Sequence, residues 1–123
     1  MAKKPKILCV DDEQDILDLL TFNLEKEGYE VYSALNGKKG LEVAKRELPD
    51  LIILDVMMPE MDGIELARRA TELDPDMKVV FITGFAAVAL NPDSQAPKDA
   101  KILSKPFHLR DLVSEVQKML IAA

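Results

Sequence analysis

Short apolar runs alternate along the chain with longer stretches in which apolar residues recur at helical spacing. Lys6-Ile7-Leu8-Cys9-Val10 reads as a buried strand that stops at the charged pair Asp11-Asp12. From Glu13 to Glu27, Ile16, Leu17, Leu20 and Leu24 fall at helical spacing, and Gly28 stands where a left-handed C-cap belongs. Glu30 to Leu35 is a second, weaker strand, after which Asn36-Gly37 opens a short helix carrying Leu41 and Ala44. Pro49 and Asp50 precede Leu51-Ile52-Ile53-Leu54, a fully apolar run of the kind central parallel strands show, and it ends on Asp55. A turn over Met57 to Gly63 leads into a helix from Ile64 to Leu73 with Ala67 and Ala70 on its inner side. Lys78 to Ile82 is the fourth strand, stopping at Thr83, and Lys101 to Ser104 is the fifth, stopping at Lys105-Pro106. The last helix, from about His108 to Ile121, repeats Leu109, Leu112, Val113, Val116 and Leu120. Between these, Gly84 to Leu90 predicts only a short or irregular fourth helix, because Asn91-Pro92 should end it. The stretch from Asn91 to Ala100 holds Pro92 and Pro97 and cannot be one continuous helix. Regular alternation of strand and helix predicts an α/β fold, a doubly wound five-stranded parallel sheet with helices on both faces.

Composition narrows the class. A chain of 123 residues, 48% hydrophobic and 31% charged, predicts one globular domain spanning 1–123. Sixteen basic against 22 acidic residues leave a formal charge of −6, which argues against direct nucleic-acid binding. No apolar run approaches the roughly 20 residues needed to span a bilayer, so no membrane contact is expected. Lys3, Lys4 and Lys6 lead into only a brief apolar run, which is not a signal peptide. Cys9, the one cysteine, excludes an internal disulfide and fits a reducing, cytoplasmic compartment.

In open α/β sheets ligands sit beyond the carboxyl ends of the strands. Asp11 and Asp12 follow the first strand, Asp55 the third with Met57 just beyond, Thr83 the fourth and Lys105 the fifth. Each alone has an ordinary explanation: an aspartate or threonine caps a helix, and a lysine is a solvated surface charge. Together they predict three carboxylates, a hydroxyl and an ammonium on one rim. Clustered carboxylates repel unless a cation or a proton relieves them, and hard oxygen donors suit Mg²⁺. A carboxylate beside Mg²⁺ can act as a nucleophile toward phosphorus, and phosphoryl transfer needs mainly positioning and charge neutralisation.

Val10-Asp11-Asp12-Glu13, the run from Leu54-Asp55-Val56-Met57-Met58-Pro59 to Asp62-Gly63, Phe81-Ile82-Thr83-Gly84 and Ser104-Lys105-Pro106-Phe107 resemble, in order, the motifs of bacterial two-component response-regulator receiver domains of the CheY-like superfamily. The resemblance covers essentially the whole chain. It implies a flavodoxin-like strand order 2-1-3-4-5 and Asp55 as phosphoacceptor. Mg²⁺ would be held by Asp12, Asp55 and the Met57 carbonyl, with Asp11 assisting through water. Thr83 and Lys105 would contact the phosphoryl group. The implied donor is a phosphohistidine on a histidine kinase or histidine phosphotransferase, and the implied protein is a monomer or weak phosphorylation-dependent dimer rather than a turnover enzyme. With no output domain, it would signal through a downstream protein contact.

The second half, with Phe81-Ile82-Thr83-Gly84-Phe85-Ala86-Ala87-Val88-Ala89-Leu90-Asn91-Pro92, resembles CpdR-type single-domain receivers, which implies an adaptor role for the ClpXP protease. The first half resembles receivers of DNA-binding regulators, and the contrast predicts a recombined chain joined near Met58 to Gly63. Two features depart from the receiver pattern. Ile102 stands where an aromatic switch residue is usual, and the run Phe85 to Leu90 offers either core packing or a docking surface. Bulky, apolar Met57 and Phe85 flank the expected phosphoryl position and predict slow self-dephosphorylation. His108 reads as a surface residue and Cys9 as a buried inert thiol.

Three other readings compete with the receiver reading. A Mg²⁺-dependent phosphatase with an aspartate nucleophile would start with Asp-x-Asp after the first strand and need room for a cap. A flavodoxin-like cofactor binder would need a phosphate loop that is missing after the first strand. A phosphorylation-independent adaptor with the receiver fold is kept open by Ile102.

Overall fold

Alternation along the central strands sorts the core into two layers. The computed structural model describes residues 4–55, 63–83, 100–104 and 108–121. Its elements run β1 (Lys6–Val10), α1 (Gln14–Lys26), β2 (Glu30–Ala34), α2 (Gly37–Glu47), β3 (Leu51–Asp55), α3 (Gly63–Leu73), β4 (Lys78–Thr83), β5 (Lys101–Ser104) and α4 (Leu109–Ile121). Leu8, Val10, Ile52, Leu54, Val79 and Phe81 point to one face, where they meet Ala44 of α2 and Leu66, Ala67 and Ala70 of α3. Ile7, Cys9, Leu51, Ile53, Val80 and Ile82 point to the other, against Leu17, Leu20 and Leu24 of α1 and Leu112 and Val116 of α4. All five residues of β3 are buried, as expected of a strand covered on both faces.

The sheet is parallel throughout, in the order β2-β1-β3-β4-β5 implied by the receiver resemblance. Parallel neighbours need a crossover between them, and each crossover sends the chain back across a face, which is why the strand ends gather on one edge. Val10 lies beside Leu54, Asp55 beside Ile82, and Thr83 beside Ser104. The residues after β1, at the ends of β3 and β4, and directly after β5 are thereby brought to one edge.

Helix ends follow local chemistry. At the end of α1, Gly28 takes φ 95° while its N–H bonds Glu25 O at 3.0 Å and the Tyr29 N–H bonds Leu24 O at 3.2 Å, a Schellman close. Asn36 caps α2 by accepting the Lys39 N–H at 2.8 Å. Two details differ from expectation. The inner face of α2 is Gly37, Gly40 and Ala44, with Leu41 only half-buried, because the helix sits too close to the sheet for larger side chains. The α2 C-cap is Leu48 in the left-handed region at φ 45°, a place more often held by glycine or asparagine. The expected irregular fourth helix after β4 and the Phe85 to Leu90 run lie outside the described residues.

Candidate metal centre

The carboxyl ends of β1 and β3 carry the chemistry. Asp11 is fully buried, Asp55 is 7% exposed and Asp12 is exposed. Carboxylate oxygens of these three lie within 4.8 Å of one another. Strand pairing explains the meeting: Val10 and Leu54 are register partners on adjacent strands, so the next residues, Asp11 and Asp55, emerge side by side. Asp11 also has a structural task. Its N–H donates to Ala34 O at 3.2 Å, and its Oδ1 accepts the Glu13 N–H at 2.9 Å, which turns the chain from β1 into α1. Glu13 itself, the α1 N-cap, makes no side-chain cap. The helix-capping explanation of the aspartates is thus partly right for Asp11, in addition to its place in the cluster. The sequence signal for this was an aspartate two residues before the amide it serves.

Two carboxylates about 5 Å apart repel by roughly 3–4 kcal/mol at an effective dielectric of about 20. The field reaches the core: burial, with a smaller push from the Asp11 carboxylate, drives the Cys9 thiol up to about 12. A thiol held so high stays protonated and unreactive, in line with the expected inert cysteine. The donor set is three carboxylates with no sulfur or imidazole, which fits a hard, oxygen-seeking divalent cation such as Mg²⁺. Among the described residues no buried side-chain nitrogen or oxygen lacks a hydrogen-bond partner.

The other expected residues are placed less fully. The backbone of Thr83 pairs with Ser104 at the same sheet edge, one residue beyond the Ile82 that flanks Asp55. Lys105 follows Ser104 directly in the chain, but Lys105, Met57 and Phe85 lie outside the described residues. Ile102, at the usual aromatic position, is half-buried against the α2–α3 layer and is the register partner of Phe81. His108 is exposed, as expected of a surface residue.

Comparison with known proteins agrees with this geometry. The response regulator receiver domain family matches residues 7–117. The response regulator receiver protein CpdR of Brucella abortus (strain 2308) is 62% identical over 118 residues, covering 96% of this chain and 98% of that protein. A single relative therefore spans both sides of the join expected near Met58 to Gly63. The response regulator receiver domain protein (CheY-like) from Methanospirillum hungatei JF-1 superposes with a TM-score of 0.85 at 34% identity, over 98% of this chain and 96% of that one. Response regulator protein TrrA from Thermotoga maritima, solved in complex with Mg²⁺-BeF, superposes with a TM-score of 0.83 at 33% identity, over 94% of this chain and 98% of that one. Receiver domains of this kind are signalling proteins, not turnover enzymes. The chain belongs to the response regulator receiver domain family.

Proposed function

We propose that this chain is a single-domain regulator switched by phosphorylation of Asp55, with a phosphohistidine on a histidine kinase or histidine phosphotransferase as donor. The observation that carries the reading is the nearly buried Asp55 carboxylate, with Asp11 and Asp12 oxygens within 4.8 Å at the carboxyl end of a parallel sheet. In the proposed step an Asp55 oxygen forms a bond to phosphorus. The phosphorus–nitrogen bond of the donor breaks, and its electron pair leaves on the imidazole. Asp11, Asp12, Asp55 and the Met57 carbonyl would hold Mg²⁺, which when bound offsets charge on the carboxylates and the phosphoryl oxygens. Thr83 donates its hydroxyl hydrogen to a phosphoryl oxygen, and the Lys105 ammonium meets another. The described Asp11–Glu13 hydrogen bond holds the β1–α1 turn on which Asp11 and Asp12 sit.

The protein acts in the cytoplasm, as a monomer or weak dimer, and its output is a protein contact made by the receiver itself. The ClpXP protease is the proposed downstream partner, on the resemblance of the second half of the sequence to CpdR-type receivers. TrrA, a relative at 33% identity, was solved with Mg²⁺-BeF, which makes beryllofluoride a suitable mimic of the phosphoryl group. The wild-type chain is expected to bind Mg²⁺ and beryllofluoride together, and Asp55→Asn is not. Failure of the wild type to bind contradicts the receiver mechanism. Binding that leaves residues 84–105 unchanged by NMR favours the phosphorylation-independent adaptor for which Ile102 leaves room.

A further inference from the structure

We infer that Asn36–Gly37 is a latent modification site: the folded β2–α2 corner holds it against deamidation, and opening of the first turn of α2 lets it convert to aspartate and isoaspartate. Of the three asparagines, Asn23 precedes Leu24 and Asn91 precedes Pro92, so only Asn36 is followed by glycine. The reaction uses the amide nitrogen of the next residue as its nucleophile. Proline has no N–H to lose and leucine crowds the approach, whereas glycine does neither. The step is intramolecular and consumes only water. The Gly37 nitrogen gives its proton to hydroxide and bonds to Asn36 Cγ. The Cγ–Nδ2 bond breaks, and that nitrogen takes a proton from water and leaves as ammonia. Water then opens the five-membered imide at either of its carbonyls, so one amide becomes one carboxylate.

Two hydrogen bonds hold the reacting atoms apart. Asn36 Oδ1 accepts the Lys39 N–H at 2.8 Å, which fixes the side chain. The Asn36 carbonyl accepts the Gly40 N–H at 2.9 Å, which fixes the plane of the Asn36–Gly37 peptide. At ψ 169° that plane sets the Gly37 nitrogen gauche to Asn36 Cβ, whereas a five-membered ring needs the two nearly eclipsed. Closing the ring therefore takes a rotation about the Asn36 Cα–C bond that breaks the Gly40 hydrogen bond and, with it, the first turn. Gly37 is also buried, which keeps hydroxide from its N–H while the turn is formed.

The two products differ in what they leave of the corner. Aspartate, from opening at Cγ, keeps a capping oxygen and adds a negative charge that a helix N-terminus favours. Isoaspartate, from opening at the main-chain carbonyl, runs the backbone through Cγ and lengthens it by a methylene, and the cap is lost. The lengthened link follows Ala34, whose carbonyl accepts the Asp11 N–H at 3.2 Å. Isoaspartate thus loosens the corner on which Asp11 rests.

The test incubates the full chain in mildly alkaline buffer, with and without denaturing urea, and follows conversion at residue 36 by peptide mass spectrometry. Conversion is expected to be roughly tenfold or more slower in the folded chain, where the first turn of α2 is open only a small part of the time. Lys39→Pro deletes the capping N–H within the first turn, where proline is tolerated, and is expected to speed conversion severalfold in native buffer. Val116→Ala weakens the core on the other face of the sheet and is expected to leave the native rate as it is. Urea below the unfolding transition gives a measure that needs no variant: hydrogen exchange at Lys39 and Gly40 and conversion at Asn36 are expected to rise together. Equal rates with and without denaturing urea overturn the proposal, as does Lys39→Pro converting at the wild-type rate. So does Val116→Ala speeding conversion as much as Lys39→Pro, which assigns the protection to global folding rather than to the cap. Conversion that stays flat while exchange at Lys39 and Gly40 rises overturns it as well.

Discussion

Gly40 lies where α2 comes closest to the sheet. A β-carbon added there would stand 2.9 Å from Val10 Cγ2, 3.2 Å from Leu66 Cδ2 and 3.3 Å from Val10 Cγ1. Val10 is β-branched and buried, so its methyls have no free rotamer to move into. Alanine gains up to about 1 kcal/mol of helix propensity over glycine, whereas overpacking costs about 1–3 kcal/mol. Gly40→Ala is expected to lose about 1 kcal/mol net in urea unfolding, and a variant as stable as wild type contradicts so close a seat. A second residue, Asp12, tests the cluster's electrostatics. Because the three carboxylates repel, Asp12→Asn is expected to melt higher than wild type without Mg²⁺, by about 0.5–1 kcal/mol for so exposed a charge. Added Mg²⁺ should stabilise the wild type by mass action and the variant far less. A variant that melts lower without Mg²⁺, or gains as much from it, contradicts that account. The two residues differ in how legible they were. Asp12 could be read because it ends a strand, and strand ends meet. Gly40 could not, because what a glycine permits depends on the atoms opposite it, here Val10 and Leu66.

At the scale of elements, α3 shows how local charge is organised. Glu65 accepts from Arg68 Nη2 at 2.8 Å, Arg68 Nε at 3.1 Å and Arg69 Nε at 2.8 Å. The Arg68 guanidinium first, then Arg69, holds its carboxyl down from 4.5 to about 2. The folded value lies below the unfolded one, so protonation favours the unfolded chain. The contribution of Glu65 is therefore complete above about pH 4.5 and is lost as pH falls through about 2. A carboxyl-carbon NMR titration of Glu65 is expected to show a midpoint near 2, and a midpoint near 4.5 contradicts the network. Helical spacing made α1, α3 and α4 legible, since Leu17, Leu20, Leu24, Ala67, Ala70, Leu112 and Val116 are buried as their periodicity predicts. The inner face of α2 was harder to read. Its glycines are invisible to a pattern of apolar residues, and Leu41 pointed only partly to the true contact. Strand β2 read as weak and is weak: it is an edge strand whose Glu30 and Ser33 are exposed.

The whole molecule has two ends of different character. Helices return across both faces of a parallel sheet, so the strand carboxyl ends gather Asp11, Asp12 and Asp55 while the amino ends mix Lys4, Lys6 and Lys78 with Glu47, Asp50 and Asp76. Part of the net charge of −6 is thus concentrated at one edge. The carboxylate end was legible because each residue there closes an apolar run. The amino end was not, because Lys6, Glu47, Asp50, Asp76 and Lys78 meet there only through the packing of separate elements, which is not local in the sequence. The central claim is that Asp55 takes the phosphoryl group. Its most direct test is to incubate the chain with acetyl phosphate and Mg²⁺ and locate the modification by mass spectrometry of the intact protein and its peptides. One phosphoryl group on the peptide carrying Asp55 is expected, absent from Asp55→Asn and absent when Mg²⁺ is chelated. Unmodified wild-type protein, or modification that persists in Asp55→Asn, would contradict the claim.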